Sequence, residues 1–268
     1  MARMMAAVRW LRDIRAVVYY VAMKRSSIAI AVIGDEILNG TTRDGNSYWL
    51  TQRLVEIGAE VGIVVVLPDD MDVLERRLDE LRREYSAVIT TGGIGPTHDD
   101  LTREAVARAC GRPIVLNHEA EEMIAASHKG ELTEVRRRMA MLPEGCELIG
   151  NARTGAPGFH VDNIYVFPGI PGLLHEMFEQ VLDNFRGSVF HKDSIEVNVG
   201  ESRFANILEE AQKKWPEVSI GSYPKLDDWA WVEVRIRSRD MDKLKECCSW
   251  LRPKLKKAEK KNKPSRED

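Results

Sequence analysis

Residues 90–105, TTGGIGPTHDDLTREA, put two chemistries side by side. Gly92, Gly93 and Gly95 let a backbone come close to a ligand. Backbone N–H groups at the start of the helix that follows favour anions, and Thr91 and Thr102 add hydroxyls able to donate to phosphate oxygens. Asp99, Asp100 and Glu104 then crowd three carboxylates into the same stretch. Carboxylates repel phosphate unless a cation stands between them, and hard oxygen donors suit Mg2+ or Mn2+. The pairing implies a phosphorylated ligand held with a divalent metal. One Asp is explained as the N-cap of a helix from about Leu101 to Cys110; two, with Glu104 one turn on, exceed what a cap needs. The run lacks the Gly-Lys-Ser/Thr of a Walker motif and the spacing of GxGxxG. A glycine-rich turn alone is equally consistent with a mere tight turn.

Other candidates are weaker. Asp35 and Glu36 follow an apolar run and can complete the acidic cluster from across a cleft; for Glu36 an ordinary polar loop is as good a reading. His98 reads as an exposed loop residue. FPGIPG (167–172), with Gly169 and Pro171, offers a second rigid turn before a helix, lining a pocket or only joining strand to helix. No Ser–His–Asp or Cys–His set stands out, so covalent catalysis is not expected.

The elements that must position these residues follow from hydrophobic patterning. IAIAVI (28–33) is a continuous β-branched run and reads as a strand buried on both faces. NSYWLTQRLVEIG reads as a helix with Asn46 as N-cap and Gly58 as its stop. VGIVVVL (61–67) is a second strand, Asp70 caps a second helix bearing Leu74, Leu78 and Leu81, and AVIT (87–90) is a third strand. Alternating strands and helices specify an α/β unit with a parallel sheet. Ligands in such sheets bind beyond the carboxyl ends of the strands, where the loops 34–45 and 92–100 leave. Residues 117–141 read as helical and charged, and 164–167 as a strand followed by a helix. Beyond Gly187 the pattern restarts with strands at 194–199, 218–221 and 229–238 and helices at 202–214 and 240–256. The alternation of WVEVRIRS marks a half-exposed strand, hence a small antiparallel α+β lobe. The expected divisions are an extension at 1–26, a domain at 27–187, a lobe at 188–257 and a charged tail at 258–268.

Composition narrows the class. With 39 basic and 42 acidic residues the net charge is −3, which argues against nucleic acid as a main partner. The chain is 44% hydrophobic, enough for a core without disulfides. Cys110, Cys146, Cys247 and Cys248 show no CxxC spacing and read as free thiols in a reducing, cytoplasmic compartment. The apolar run 16–23 falls far short of the roughly 20 residues of a membrane span, so no membrane partner is expected. The Arg-bearing start, 1–26, reads as an ill-defined beginning, with an Arg-rich transit peptide as the alternative.

GDEILNG (34–40), TTGGIGPTHDDLTREAVA (90–107), LPEG (142–145), APGF (156–159) and FPGIPG occur in that order. Together they resemble the CinA-type branch of the molybdopterin-binding (MoaB/Mog-like) superfamily, from about Ser27 to Phe185. The following lobe, with GSYP (221–224), is similar to short CinA-like proteins, and the whole is similar to the N-terminal domain of FAD synthases. The resemblance implies a three-layer α/β/α domain with a small C-terminal α+β lobe. It implies either metal-dependent (Mg, Mn or Co) cleavage of nucleotide pyrophosphates such as ADP-ribose or FAD, or pterin binding and adenylylation. In the Mog-type pattern Asp35 and Asp100 match the two catalytic acids; Asp99 is the additional acid of the CinA branch and favours the pyrophosphatase. Residues 154–158 read TGAPG where the CinA pattern has GTAPG, which puts that loop's contacts in question. Nothing resembles the CinA amidohydrolase domain, so no deamidase activity is expected. A non-catalytic nucleotide- or pterin-binding protein is the third reading, and association into a homo-oligomer is expected from the resemblance.

Overall fold

The computed structural model describes residues 27–130, 132–225 and 228–260, which divide into two compact units between Gly187 and Ser188. The extension at 1–26 and the charged tail beyond Lys260 lie outside the described residues.

The first unit is built on a six-stranded sheet. β1 (Ile28–Ile33), β2 (Val61–Leu67) and β3 (Ala87–Thr91) are parallel, with β8 (Ile164–Phe167) parallel beside β3. β7 (Gly158–Val161) and β6 (Glu147–Ile149) continue it antiparallel, giving the order β2-β1-β3-β8-β7-β6. β4 (Ile114–Leu116) and β5 (Met141–Pro143) form a separate antiparallel pair. The helices are α1 (Asp35–Leu38), α2 (Asn46–Glu56), α3 (Met71–Glu84), α4 (Thr102–Ala109), α5 (His118–Ser127), α6 (Glu134–Arg137) and α7 (Pro171–Val181).

Period-2 alternation along β1 separates two cores. Ala29, Ala31 and Ile33 pack with Leu74 and Leu78 of α3, Val106 of α4 and Ile124 of α5. Ile28, Ile30 and Val32 pack on the other face with Leu50 and Leu54 of α2 and Leu174 and Phe178 of α7. Each fully buried Val, Leu, Ile or Phe side chain among them contributes roughly 1.5–3 kcal/mol of transfer free energy, so both faces of the sheet must stay covered. The result is three layers, α/β/α.

Because β1 has β2 on one side and β3 on the other, the loops leaving the carboxyl ends of β1 and β3 diverge. A crevice opens between them at the switch point of the sheet.

The second unit contains β9 (His191–Val197), β10 (Ser219–Lys225) and β11 (Asp228–Ser238) in an antiparallel sheet of order β10-β11-β9. α8 (Ala205–Lys214) and α9 (Met241–Lys260) belong to its core, where Phe204, Val197, Val234, Ala211 and Leu251 meet. All four cysteines are free, and burial pushes the Cys110, Cys146 and Cys247 thiols up to about 11. No helix among the described residues is long and apolar enough to cross a membrane.

Candidate functional site

The glycine-rich loop is shaped mainly by its own chain. Gly92 has φ +107, and a Cβ there would lie 2.1 Å from the Ile33 carbonyl at the end of β1. Its glycine therefore serves the approach of two strand ends. Asp100 turns back into the loop: Gly95 N–H donates to Oδ1 at 2.7 Å and Thr97 N–H to Oδ2 at 2.8 Å, with the Thr97 hydroxyl donating as well. A Cβ on Gly95 would sit 2.7 Å from that carboxylate. The buried Arg103 guanidinium donates to the Ile94 carbonyl, and burial lowers its pKa.

This changes several expectations. Thr91 and Thr102 are almost fully buried beneath the loop. The Thr102 hydroxyl donates to Gly92 O at 2.8 Å, and the Thr91 hydroxyl donates to Pro168 O at 3.1 Å. Both are engaged with protein carbonyls and brace the loop from below, facing no ligand. Neither aspartate caps α4, whose N-cap is Leu101 without a side-chain bond. Asn46 is the first residue of α2, with Gly45 at the N-cap. Asp44 supplies the capping bond, accepting from Ser47 N–H at 3.0 Å.

Above the loop lies a cleft of about 740 Å3. Gly92, Gly93 and Gly95 form one wall with Asp100 at its edge, and Gly169 with Ile170 and Leu173 forms another. The third comes from Asn151, Thr154 and Ala156, with Val135, Arg136 and Met139 of the α6 segment beside it. The N–H groups of Gly93 and Ile94 have no acceptor among the described residues, so they remain open to an anion.

Two interactions that the sequence did not signal hold this cleft open. Asn46, buried in α2, donates through Nδ2 to Gly169 O at 2.8 Å and to Thr91 Oγ1 at 3.0 Å, tying the FPGIPG turn to the end of β3. Its Oδ1 is buried without a partner among the described residues. Asn151 organises the third wall: its Nδ2 donates to Thr154 Oγ1 at 2.7 Å and to Ala156 O, and its Oδ1 accepts from Arg153 N–H. Gly155 there has φ +73, and a Cβ would meet Met123 O at 2.4 Å. The order Thr154-Gly155 thus places glycine where left-handed backbone and close approach to α5 both require it.

The acids are dispersed. Glu36 lines the cleft. Asp35 sits beside it and is coupled to Asp69: Asp35 N–H donates to Asp69 Oδ2 at 3.0 Å, and Asp69 N–H to Asp35 Oδ1 at 3.3 Å. Burial raises the Asp69 pKa, and the charges of Asp35, Glu36 and Asp99 raise it further. Asp69 is the acid that sequence reading missed, its PDD run offering only a helix cap. Asp99 is exposed, with His98 Nδ1 4.0 Å away, and its pKa is lowered by the Thr97 side chain. Glu104 is exposed on α4 outside the cleft, and Pro171 is the first residue of α7, where its fixed φ starts the helix. No group of three or more His, Cys, Asp or Glu is preassembled for a metal among the described residues. Asp99, Asp100 and Glu104 therefore do not form one ligand set in this geometry.

A family profile described as a probable molybdopterin binding domain matches residues 29–186. This chain belongs to that family. The second unit matches the FAD synthase middle domain over residues 189–263. Relatives of the molybdopterin-binding domain chain include a protein of Archaeoglobus fulgidus, 34% identical over 81% of this chain and 93% of its own length. A CinA-like protein of Citrifermentans bemidjiense is 34% identical over 85% of this chain and 58% of its own length. A solved structure described as the protein CinA, of unknown function, from Thermoplasma acidophilum superposes with a TM-score of 0.57 at 27% identity, covering 60% of this chain and 99% of that one. The match supports the three-layer fold and its CinA-like character.

Proposed function

We propose that this molybdopterin-binding-family chain is a metal-dependent nucleotide pyrophosphatase that hydrolyses the P–O–P bond of dinucleotides such as ADP-ribose or FAD. The observation that carries the reading is the meeting of open amides with carboxylates at the ends of β1, β2 and β3. Gly93 and Ile94 offer N–H groups to a phosphate. Glu36 lines the same cleft, and the charges of Asp35, Glu36 and Asp99 all act on Asp69 beside it. Phosphate and carboxylates share such a space only with a cation between them.

The donor set fits a hard divalent ion. Mg2+ takes one or two carboxylates and completes its shell with phosphate oxygens and water, so no preformed cage of three acids is required. Asp69 and Asp99 are the residues that would hold it, leaving Asp35 for the water. Mg2+, Mn2+ or Co2+ bound there would supply charge neutralisation at the phosphoryl oxygens and a more acidic water.

The chain's own residues do the rest. The Gly93 and Ile94 amides fix one phosphate, and the α4 end of the loop adds a favourable dipole. Asp35 orients the attacking water and takes its proton. Water adds at one phosphorus as the bond to the bridging oxygen breaks, releasing AMP with ribose 5-phosphate, or AMP with FMN. Asp100 acts by holding the loop, since both its oxygens already accept from Gly95 and Thr97. The apolar wall of Ile94, Met139, Ile170 and Leu173 receives a flat heterocycle. That wall also favours a second reading, a pterin ligand with or without adenylylation, which the family name itself suggests.

The test is product analysis. ADP-ribose, FAD and NAD are incubated with the purified chain and Mg2+, Mn2+ or Co2+, with EDTA as control, and molybdopterin is offered separately with ATP. Release of AMP that EDTA abolishes supports the hydrolase. Adenylylated molybdopterin without dinucleotide cleavage replaces it with the second reading.

A further inference from the structure

The second unit carries a site of its own. Its sheet buries one face against α8 and α9, and the other face is open. In the register of the sheet, Lys192 of β9 stands directly opposite Arg237 of β11, and Arg237 opposite Ser219 of β10. Like charges facing each other across antiparallel strands are destabilising. No carboxylate pairs with Lys192 or Arg237 among the described residues. Asp193, next in sequence, turns to the helical side and accepts from Arg252 of α9 at 2.6 Å. Glu233 accepts from Arg235 at 2.8 Å, and Glu196 from Lys225 at 3.0 Å. Arg237 lies over the Phe190 ring at 5.2 Å from its centroid, so the two neighbouring cations have no carboxylate partner and are left for an anion from outside.

The next row supplies an aromatic platform. A Cβ at Gly221 would lie 3.0 Å from the Tyr223 ring, so the ring folds down over Gly221 and lies along the sheet. Arg235 covers it at 4.5 Å from the centroid, yet Tyr223 remains 49% exposed. At about 3.4 Å per residue, the Gly221 row is roughly 7 Å from the Lys192–Arg237 row. That spacing matches the separation of a nucleobase from its 5′-phosphate. The depression enclosing both rows measures about 810 Å3; Asp193 and Glu233 also line it, each already paired with an arginine, Arg252 and Arg235.

We infer that this open face binds a nucleoside monophosphate, with the phosphate on Lys192 and Arg237 and the base stacked at Tyr223 and Arg235. Stacking of a base on an aromatic ring and charge-assisted phosphate contacts are both strong enough to give a discrete site. The inference uses nothing from the cleft of the first unit and stands if the pyrophosphatase reading fails.

Photolabelling with 8-azido-AMP, followed by peptide mapping of the full chain, resolves the two units. The expected result is label within residues 219–237 that excess AMP suppresses. Labelling there falls about tenfold or more in Lys192→Gln and in Arg237→Gln, and in Tyr223→Ser. Any label on residues 92–100 or 151–170 stays unchanged in these variants. Inorganic phosphate competes weakly. Label confined to the first unit overturns the inference, as does label at 219–237 that the three variants leave intact. Competition by a single-stranded oligonucleotide with none by AMP also overturns it. Circular dichroism of the variants, all on an exposed face, separates lost binding from lost folding.

Discussion

The two units place their recognition groups by opposite routes. In the first, both faces of a mostly parallel sheet are buried, so β1 and β3 can present nothing from their middles. The groups that remain open lie in the loops at the strand ends: the Gly93 and Ile94 amides, Glu36, and Asp35 with Asp69. In the second, an antiparallel sheet is covered on one side only, and side chains standing on the other face, such as Tyr223 and Arg235, are available within the strands. Sheet type decides where a ligand can reach the chain. Backbone amides and a crevice serve one unit, and a platform of side chains serves the other.

If the units are separate in stability as well as chemistry, the largest effect comes from a core truncation in only one. Phe204 is fully buried in the second unit. Phe204→Ala is expected to cost that unit about 4 kcal/mol. Calorimetry should show its transition shifted down while that of the first unit is retained, and a single transition moving as a whole would erase the comparison.

A backbone substitution probes the crevice next. Gly92→Ala forces a Cβ toward the Ile33 carbonyl at φ +107 and is expected to cost about 3 kcal/mol. Gly200→Ala in the second unit meets open space and should stay within about 0.5 kcal/mol. Thermal denaturation of the pair gives the contrast directly.

Asn46→Ala is smaller. It removes the bonds to Gly169 and Thr91, leaving carbonyl and hydroxyl without that donor, for about 2 kcal/mol. Because it loosens one wall of the cleft, ligand affinity should fall along with stability. Unchanged affinity would mean the FPGIPG turn takes no part in binding.

The smallest effect is one of pH. His175 of α7 stacks on Trp49 of α2 at 3.8 Å, and burial holds its pKa below the ordinary 6.5. The unfolded imidazole takes up a proton near pH 6.5 while the folded one does not. The stability is therefore present above that pH and is lost as pH falls toward the folded value. Melting temperatures at pH 7.5 and 5.5 should drop more for the wild type than for His175→Phe, which keeps the stack without the titration. Equal drops would assign the acid sensitivity elsewhere.

Much of the first unit was legible because its signals are local. IAIAVI, VGIVVVL and AVIT form the strands expected, and Asp70 caps α3 by accepting from Val73 N–H at 2.9 Å. The crevice was legible because glycines and acids cluster after strand ends. What was hidden depends on partners far along the chain. Thr102 could not be seen to use its hydroxyl on Gly92 O, nor Asn46 to reach Gly169 across 123 positions. Asp69 gains its role only because β2 and β1 end together. β7 was missed as well, because in GFHV a glycine and a histidine interrupt the apolar run that marks β8.

The most direct measurement is hydrolysis of ADP-ribose with Mn2+ by four proteins side by side: wild type, Asp35→Asn, Asp99→Asn and Arg237→Gln. The account predicts AMP release by the wild type and by Arg237→Gln at similar rates, with a loss of about a hundredfold or more in Asp35→Asn and a clear loss in Asp99→Asn. Undiminished turnover in both aspartate variants would contradict it and move the chemistry out of the crevice at the ends of β1 and β3.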